Sequence, residues 1–389
     1  VTEGAPRVLV FSEARFAMDA AGRFLSEDPG VNGCAWAREL PGDSLSPVLA
    51  ARARLDDDSA GSPLSGETIA LPHYIGLRQS VLRLPATWAA VRRSVGGADL
   101  VLVKVPGVLG TLATLSARRR GIPVAAEVVG DAEGVLRSGA LGAAGRLLRP
   151  VVGMVTRLVV RRARAVRYVT ERELQRRYPP APHAEVASFS DVVIADEPRW
   201  KGTEDGAPHL VSVGSVDQLY KGHHHLIEAL GRIRDEFPTV TLTVVGSGRR
   251  MPFLHETARE QGVPDAVRFT GYLGDPAEVE AVLAEATLFV LPSLTEGMPR
   301  ALIEAMAIGV PAIASRVGGV PELLPPSATF DPGDVTAMTR LLRELLRSPE
   351  RRRELSTAGI AATRRFSPSA RAAALADWQR TLIGLAGGG

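Results

Sequence analysis

The chain is predicted to be an α/β protein of two Rossmann-like, doubly wound domains facing each other across a cleft. Three observations lead there. Its 389 residues are long for one core and comfortable for two domains of about 200 each. Short apolar runs alternate with longer helix-like segments, the pattern of parallel sheets covered by helices. That alternation lapses once, near the middle, and then restarts. Clefts of this kind take ligands at the carboxyl ends of the strands.

In the first half, assigned to a domain over 1–187, the strands read RVLVF (7–11), DLVLVK (99–104), PVAAEVV (123–129) and AVRYVT (165–170). Each is followed by polar, glycine-containing or helix-capping residues. Thr170 and Glu173 have the spacing of a capping box, so a helix is expected after the fourth strand. The stretch SFSDVVIADEPRWKGTEDGAP (188–208) is acidic and carries two prolines; it reads as the link between domains. Strands then resume over 209–366 as HLVSVG (209–214), TVTLTVVG (239–246), AVRFTG (266–271), TLFVLP (287–292) and VPAIAS (310–315). The last segment, 367–389, has a helical pattern with no strand after it. It is expected to return across the domain boundary to the N-terminal domain.

Composition narrows the function. With 45% apolar and 23% charged residues the chain is globular, and a net charge of +3 gives no reason to expect a nucleic-acid partner. The single cysteine, Cys34, excludes an intramolecular disulfide framework and suits a reducing compartment. VTEGAPRVLVF lacks the basic and apolar regions of a signal peptide, and no apolar stretch reaches the roughly 18–20 residues of a membrane span. The expectation is a cytoplasmic protein. The segment 145–164 is a basic amphipathic helix, with Arg146, Arg149, Arg157, Arg161 and Arg164 on one side and leucines and valines opposite. Two readings stand: a helix covering the sheet with its charges in water, or one docking at the membrane as a peripheral contact.

The most informative window is LPSLTEGMPRALIEAMAIGVPAIAS (291–315). A strand ends near Leu291, Pro299 suits the first turn of a helix, and Gly309 suits the position just past its end. The backbone N–H groups at 298–301 then form an anion site at the carboxyl edge of the sheet. Glu296 lies in the loop before that helix and Glu304 inside it. Carboxylates accept from sugar hydroxyls, so the pattern calls for a phosphate flanked by sugars.

EGMPRALIE resembles the E-x7-E element of retaining GT-B glycosyltransferases of family 4. VGSVDQLYKG (213–222), VVGSG with VRFTGYL, and RVGGVPELL (316–324) resemble further motifs of that family, in the family's order. The N-terminal half is less similar, at ARFAMDAAG (14–22), VPGVLG (105–110) and EVVGDAEG (127–134). The resemblance implies a nucleoside-diphosphate-sugar donor and a carbohydrate, lipid-linked or small-molecule acceptor. In that arrangement Glu304 holds the ribose, Glu296 the donor sugar, and Lys221 the diphosphate. The N–H groups of Met298, Pro299's neighbours and Arg300 complete the cradle, with Gly318 and Gly319 at the sugar end. Gly214, Ser215, Gly246, Tyr272 and Leu273 line the nucleotide. The family often has arginine where this chain has Ser215, which leaves Arg249 or Arg300 to supply a cation. A histidine frequent in the family's N-terminal domain is not evident. Asp131, after PVAAEVV, is a candidate there for orienting acceptor or donor; a turn-forming aspartate is the other reading.

Lysine occurs only at Lys104, Lys201 and Lys221, and Lys221 precedes a glycine and three histidines. Consecutive helical residues project about 100° apart, so His223, His224 and His225 cannot share one ion, and none has the i+4 partner of a zinc helix. No metal and no cofactor are expected. VVGSGRRM (244–251) lacks the third glycine of a dinucleotide fingerprint. A nucleotide-sugar epimerase and a non-catalytic sugar-nucleotide-binding or membrane-surface protein are the alternatives to a transferase.

Overall fold

The computed structural model describes residues 4–26, 40–56, 61–137, 142–192, 194, 199–200 and 206–388. Cys34, Lys201 and much of the expected linker lie outside the described residues.

The N-terminal sheet contains β1 (Arg7–Met18), β2 (Phe24–Ser26), β3 (Ser46–Leu55), β4 (Ser62–Pro63), β5 (Glu67–Pro72), β6 (Leu100–Val105), β7 (Val124–Val128), β8 (Ala165–Tyr168) and β9 (Glu185–Ser188). Its parallel strands run β5-β3-β1-β6-β7-β8-β9, while β2 and β4 add a small antiparallel extension to the end of β1. Four of the strands match the sequence reading. β3 and β5 were not expected, because SPVLAARARL and ETIALP are short of the continuous apolar runs that mark a buried strand. β9 occupies 185–188, so pairing continues up to the start of the expected link.

The C-terminal sheet is β12-β11-β10-β13-β14-β15, with β10 (His209–Val213), β11 (Thr241–Val245), β12 (Val267–Gly271), β13 (Leu288–Leu291), β14 (Ala312–Ser315) and β15 (Thr329–Phe330). All pairings in it are parallel. In both sheets the order reverses beside the first strand, and the C-terminal sheet therefore opens a crevice between the ends of β10 and β13. The strands are apolar on both faces, as a sheet covered on both sides by helices requires.

Helix Pro368–Gly387 does return. Its Trp378, Leu382 and Ala386 enter the same apolar cluster as Val8, Leu100 and Ala125 of the N-terminal sheet, and Thr381 Oγ1 donates to Glu185 Oε2 at 2.7 Å. Beneath this crossover, β6, β7 and β8 carry Lys104, Glu127 and Arg167 in cross-strand register. Arg167, with no exposed surface, lies 3.1 Å from Glu127 and 3.0 Å from Asp191, and its guanidinium stacks 4.7 Å from the Phe189 ring.

Helix Gly142–Arg162 covers the sheet, but not with the whole of its apolar arc. Gly145, Gly153, Thr156, Val159, Val160 and Ala163 face inward. Leu147 is 80% exposed, Met154 61%, Val151 48% and Leu158 41%. The buried side is turned away from the centre of that arc, toward Gly153, Thr156 and Val160, so much of the arc faces outward.

Removing the Arg167 guanidinium would strand Glu127 without its closest cation in a dry site. Arg167→Ala is expected to cost about 3–5 kcal/mol in urea unfolding, and Arg167→Met about as much; a loss below about 1 kcal/mol would show that water reaches this cluster.

Candidate active site

The crevice at β10 and β13 is built by two loops. After β10 the chain makes a 3-10 turn, Leu219–Lys221, and turns into helix His223–Ile233 through Gly222. Gly222 adopts φ 73°, and a Cβ there would stand 2.0 Å from the Pro292 carbonyl oxygen. Only glycine satisfies both demands. The Leu294 N–H also donates to the Tyr220 carbonyl, at 2.6 Å.

This approach sets Lys221 against Glu296. The Lys221 ammonium donates to Glu296 Oε1 at 2.8 Å, and Ser293 Oγ donates to the same oxygen at 2.6 Å. Both charged side chains are largely shielded. The position of the lysine is thus held by a carboxylate, and both groups stand at the mouth of the crevice.

Helix Arg300–Ala307 begins at Pro299, which is its N-cap and not its first turn, with no side chain capping it. Its first N–H groups thus have no partner within the helix. At the other end Gly309 has φ 96°; its N–H reaches Met306 O and the Val310 N–H reaches Ala305 O at 2.9 Å, the paired bonds of a Schellman motif. Glu304 is half-buried on this helix, 4.0 Å from Arg300. Burial pushes its carboxyl up, against the pull of Arg300. Gly318 has φ 50°, and Gly319 donates to Gly297 O at 2.7 Å, which lays the second glycine loop against the Glu296 loop. Met298 packs against Gly319.

The other residues that the resemblance assigns to the donor border the same edge. Gly214 donates to Val245 O and Val216 to Ser247 O, both at 2.9 Å, and Gly246 donates to Gly271 O at 2.9 Å. Ser215 Oγ accepts from the Asp217 N–H at 3.2 Å. Arg249 is spoken for by Asp217, at 3.3 Å through Nε. Tyr272 is exposed and Leu273 packs partly into the core.

Across the cleft, Asp131 is buried and engaged within its own domain: Tyr178 donates to it at 3.0 Å and Arg177 forms an ion pair with it. Thr295, one residue before Glu296, stands so close to Gly134 that a side chain there would collide with the Thr295 hydroxyl and with the Asp131 carboxylate. The Val129 carbonyl likewise backs onto Gly297. The two domains are in contact at the residues that carry the candidate chemistry.

Residues 195–362 match the family model described as glycosyl transferases group 1. The chain carries that match over its C-terminal half. It is 29% identical to Protein CapJ of Staphylococcus aureus, over 76% of this chain and 74% of that protein. It is 28% identical to the 2-deoxystreptamine glucosyltransferase of Streptomyces kanamyceticus, over 71% of this chain and 75% of that one. The crystal structure of Anabaena HepE in complex with UDP-glucose covers 97% of this chain and 100% of its own, with a TM-score of 0.67 at 16% identity. The architecture is GT-B.

Several residues of this glycosyltransferase escaped the sequence reading. Ser293 and Thr295 look like ordinary loop residues until the fold brings them to Glu296 and Asp131. His223 is buried, with Nδ1 3.2 Å from Ser212 Oγ and Nε2 3.3 Å from Gly214 O; it pins the loop after β10. The rings of His224 and His225 lie tilted at 41° to each other, with centroids 3.9 Å apart. Among the described residues no three His, Cys, Asp or Glu side chains gather to hold a metal. In the N-terminal domain Glu13 accepts from the Leu109 N–H at 2.6 Å and from Tyr74 Oη at 2.9 Å, so it anchors the cleft loop after β6.

Burial holds His223 neutral, with its pKa lowered to about 4. An unfolded chain takes up that proton near pH 6.5, so the stabilisation is complete above that pH and is lost as pH falls toward about 4. Urea unfolding at pH 5 instead of pH 7 should show about 2 kcal/mol less stability from this group, and His223→Gln should lessen the loss; an undiminished loss would exclude His223 as its source.

Proposed function

We propose that the protein transfers a sugar from a nucleoside-diphosphate sugar to an acceptor hydroxyl with retention of anomeric configuration, without a metal. The observation that carries this is the Lys221–Glu296 pair seated at the sheet's switch point, between the exposed start of helix Arg300–Ala307 and the glycines at 318 and 319. HepE, whose structure contains UDP-glucose, shares the fold. In this reading Lys221 and the N–H groups of Met298 and Arg300 bind the diphosphate. Glu304 takes the ribose, and Glu296, held by Ser293, takes the donor sugar. The loops at Gly214, Ser215, Gly246, Tyr272 and Leu273 receive the nucleotide.

The bond from the anomeric carbon to the phosphate oxygen breaks and the acceptor oxygen bonds to that carbon. The acceptor proton passes to the departing phosphate, so no protein base is assigned. Lys221 and the helix N-terminus stabilise the charge that develops on the leaving diphosphate, while domain contact aligns the reactants. Asp131, already paired with Arg177 and Tyr178, serves in this scheme to hold the N-terminal wall of the cleft against Thr295. The acceptor is a saccharide, lipid-linked saccharide or small natural product, and the setting is the cytoplasm.

Thermal shift with UDP, GDP, ADP, CDP and TDP tests the site, because a ligand of the native state raises the midpoint. One diphosphate should raise it, Lys221→Ala should weaken that binding about 10–150-fold, and Glu304→Ala should weaken it as well. If no diphosphate shifts the wild type, or both variants bind like it, the assignment fails.

A specific observation favours peripheral membrane contact. No helix among the described residues is long and apolar enough to cross a membrane. The exposed stripe Leu147–Val151–Met154–Leu158, however, lies on a helix with no acidic residue, and exposed Arg161 and Arg162 flank its last turn. Apolar side chains between cations fit an anionic bilayer surface. Wild type should co-sediment with phosphatidylglycerol-containing vesicles, and far less with phosphatidylcholine alone; Leu147→Glu with Met154→Glu should stay in the supernatant. Failure of the wild type to sediment, or concentration-dependent dimerisation lost in the double variant, would overturn this reading.

A further inference from the structure

Glu322 belongs to the C-terminal domain, three residues beyond the second glycine of the 318–319 loop. Its carboxylate reaches the N-terminal domain and accepts from three successive backbone N–H groups: Glu171 at 2.8 Å through Oε2, and Arg172 and Glu173 at 2.9 Å each through Oε1. Three consecutive amides aimed at one carboxylate is a strong, charge-assisted arrangement. The capping box expected at Thr170 and Glu173 is not formed. Thr170 Oγ1 does accept from Leu174 N at 3.0 Å, but Glu173 faces Arg176, and the other domain supplies the carboxylate that a capping box would have drawn from Glu173.

The contact is continuous with the candidate site. The Glu322 N–H donates to Gly319 O at 3.0 Å, and Gly319 donates in turn to Gly297 O beside Glu296. Arg365 ties the far side, with Nη2 on the Glu322 carbonyl at 3.2 Å and Nη1 on the Glu171 carboxylate at 2.7 Å. A chain of short backbone and carboxylate bonds therefore runs from residues 171–173 through Glu322 and the glycine loop to Glu296. When the domains part, the carboxylate and the three amides must all be separated together.

We infer that Glu322 is a positioning residue: its carboxylate clamps the amides of residues 171–173 and so sets the glycine loop at the sugar end of the cleft only when the domains are closed. It touches no reacting atom. The diphosphate contacts lie within the C-terminal domain, so nucleotide binding does not need the clamp, whereas alignment of donor with acceptor does. Its kinetic consequence rests on the proposed glycosyl transfer; the contact itself does not.

Two measurements on Glu322→Ala and Glu322→Gln decide it. Amide hydrogen exchange should show residues 171–173 protected in the wild type and exchanging at least about tenfold faster in Glu322→Ala. Glu322→Gln should lie between, since its amide oxygen can accept while its NH2 opposes one of the three donors. With a donor and acceptor in hand, Glu322→Ala should lower kcat by about 10–100-fold, with nucleoside-diphosphate affinity within about threefold of wild type. Unchanged exchange at 171–173, or unchanged kcat with a functioning donor, would overturn the inference. If the wild type transfers no sugar from any donor, the functional reading fails, and the exchange result alone upholds or overturns the clamp.

Discussion

At the end of the first C-terminal strand, the turn carrying Lys221 meets the loop carrying Glu296 backbone to backbone. A left-handed glycine set hard against the Pro292 carbonyl makes that approach possible. The rest of the site follows from it. With the turn pinned there, Lys221 meets the Glu296 carboxylate, and His223, two residues on, is driven inward to hold the Gly214 carbonyl. A bulkier residue at 222 would separate the strands' ends and dissolve the pair.

Polarity is distributed differently at the two places where the domains meet. Around the cleft they touch through backbone and small polar groups, Val129 with Gly297 and Thr295 with Gly134, which can part and re-form without exposing much apolar surface. At the crossover the contact is apolar, with Trp378 and Leu382 in the N-terminal core. That side behaves as the fixed end of the pair, because removing those side chains from their cluster would expose them to water.

The charged ladder of Lys104, Glu127 and Arg167 lies close to that fixed end. It places ion pairs in register across three parallel strands, where desolvation offsets much of the Coulomb attraction. What it supplies is orientation: Arg167 can meet Glu127 and Asp191 together in one arrangement of sheet and interdomain segment.

Much of this was legible in the sequence. Alternating apolar runs specify parallel strands because a buried strand must be apolar on both faces, and Glu296, Glu304, Lys221 and Gly309 stand in local patterns whose geometry is set by a few neighbouring residues. β3 and β5 were hidden because arginines and prolines break their apolar runs. Only the tertiary structure decided that Ser293 and Lys221 share one oxygen of Glu296 and that Asp131 is already engaged. It also decided that the amides after Thr170 are capped by Glu322, 149 residues beyond Glu173. Local patterns report backbone preferences over a few residues. Which carboxylate meets which donor depends on how two sheets and their loops are set against each other, and no spacing along the chain encodes that.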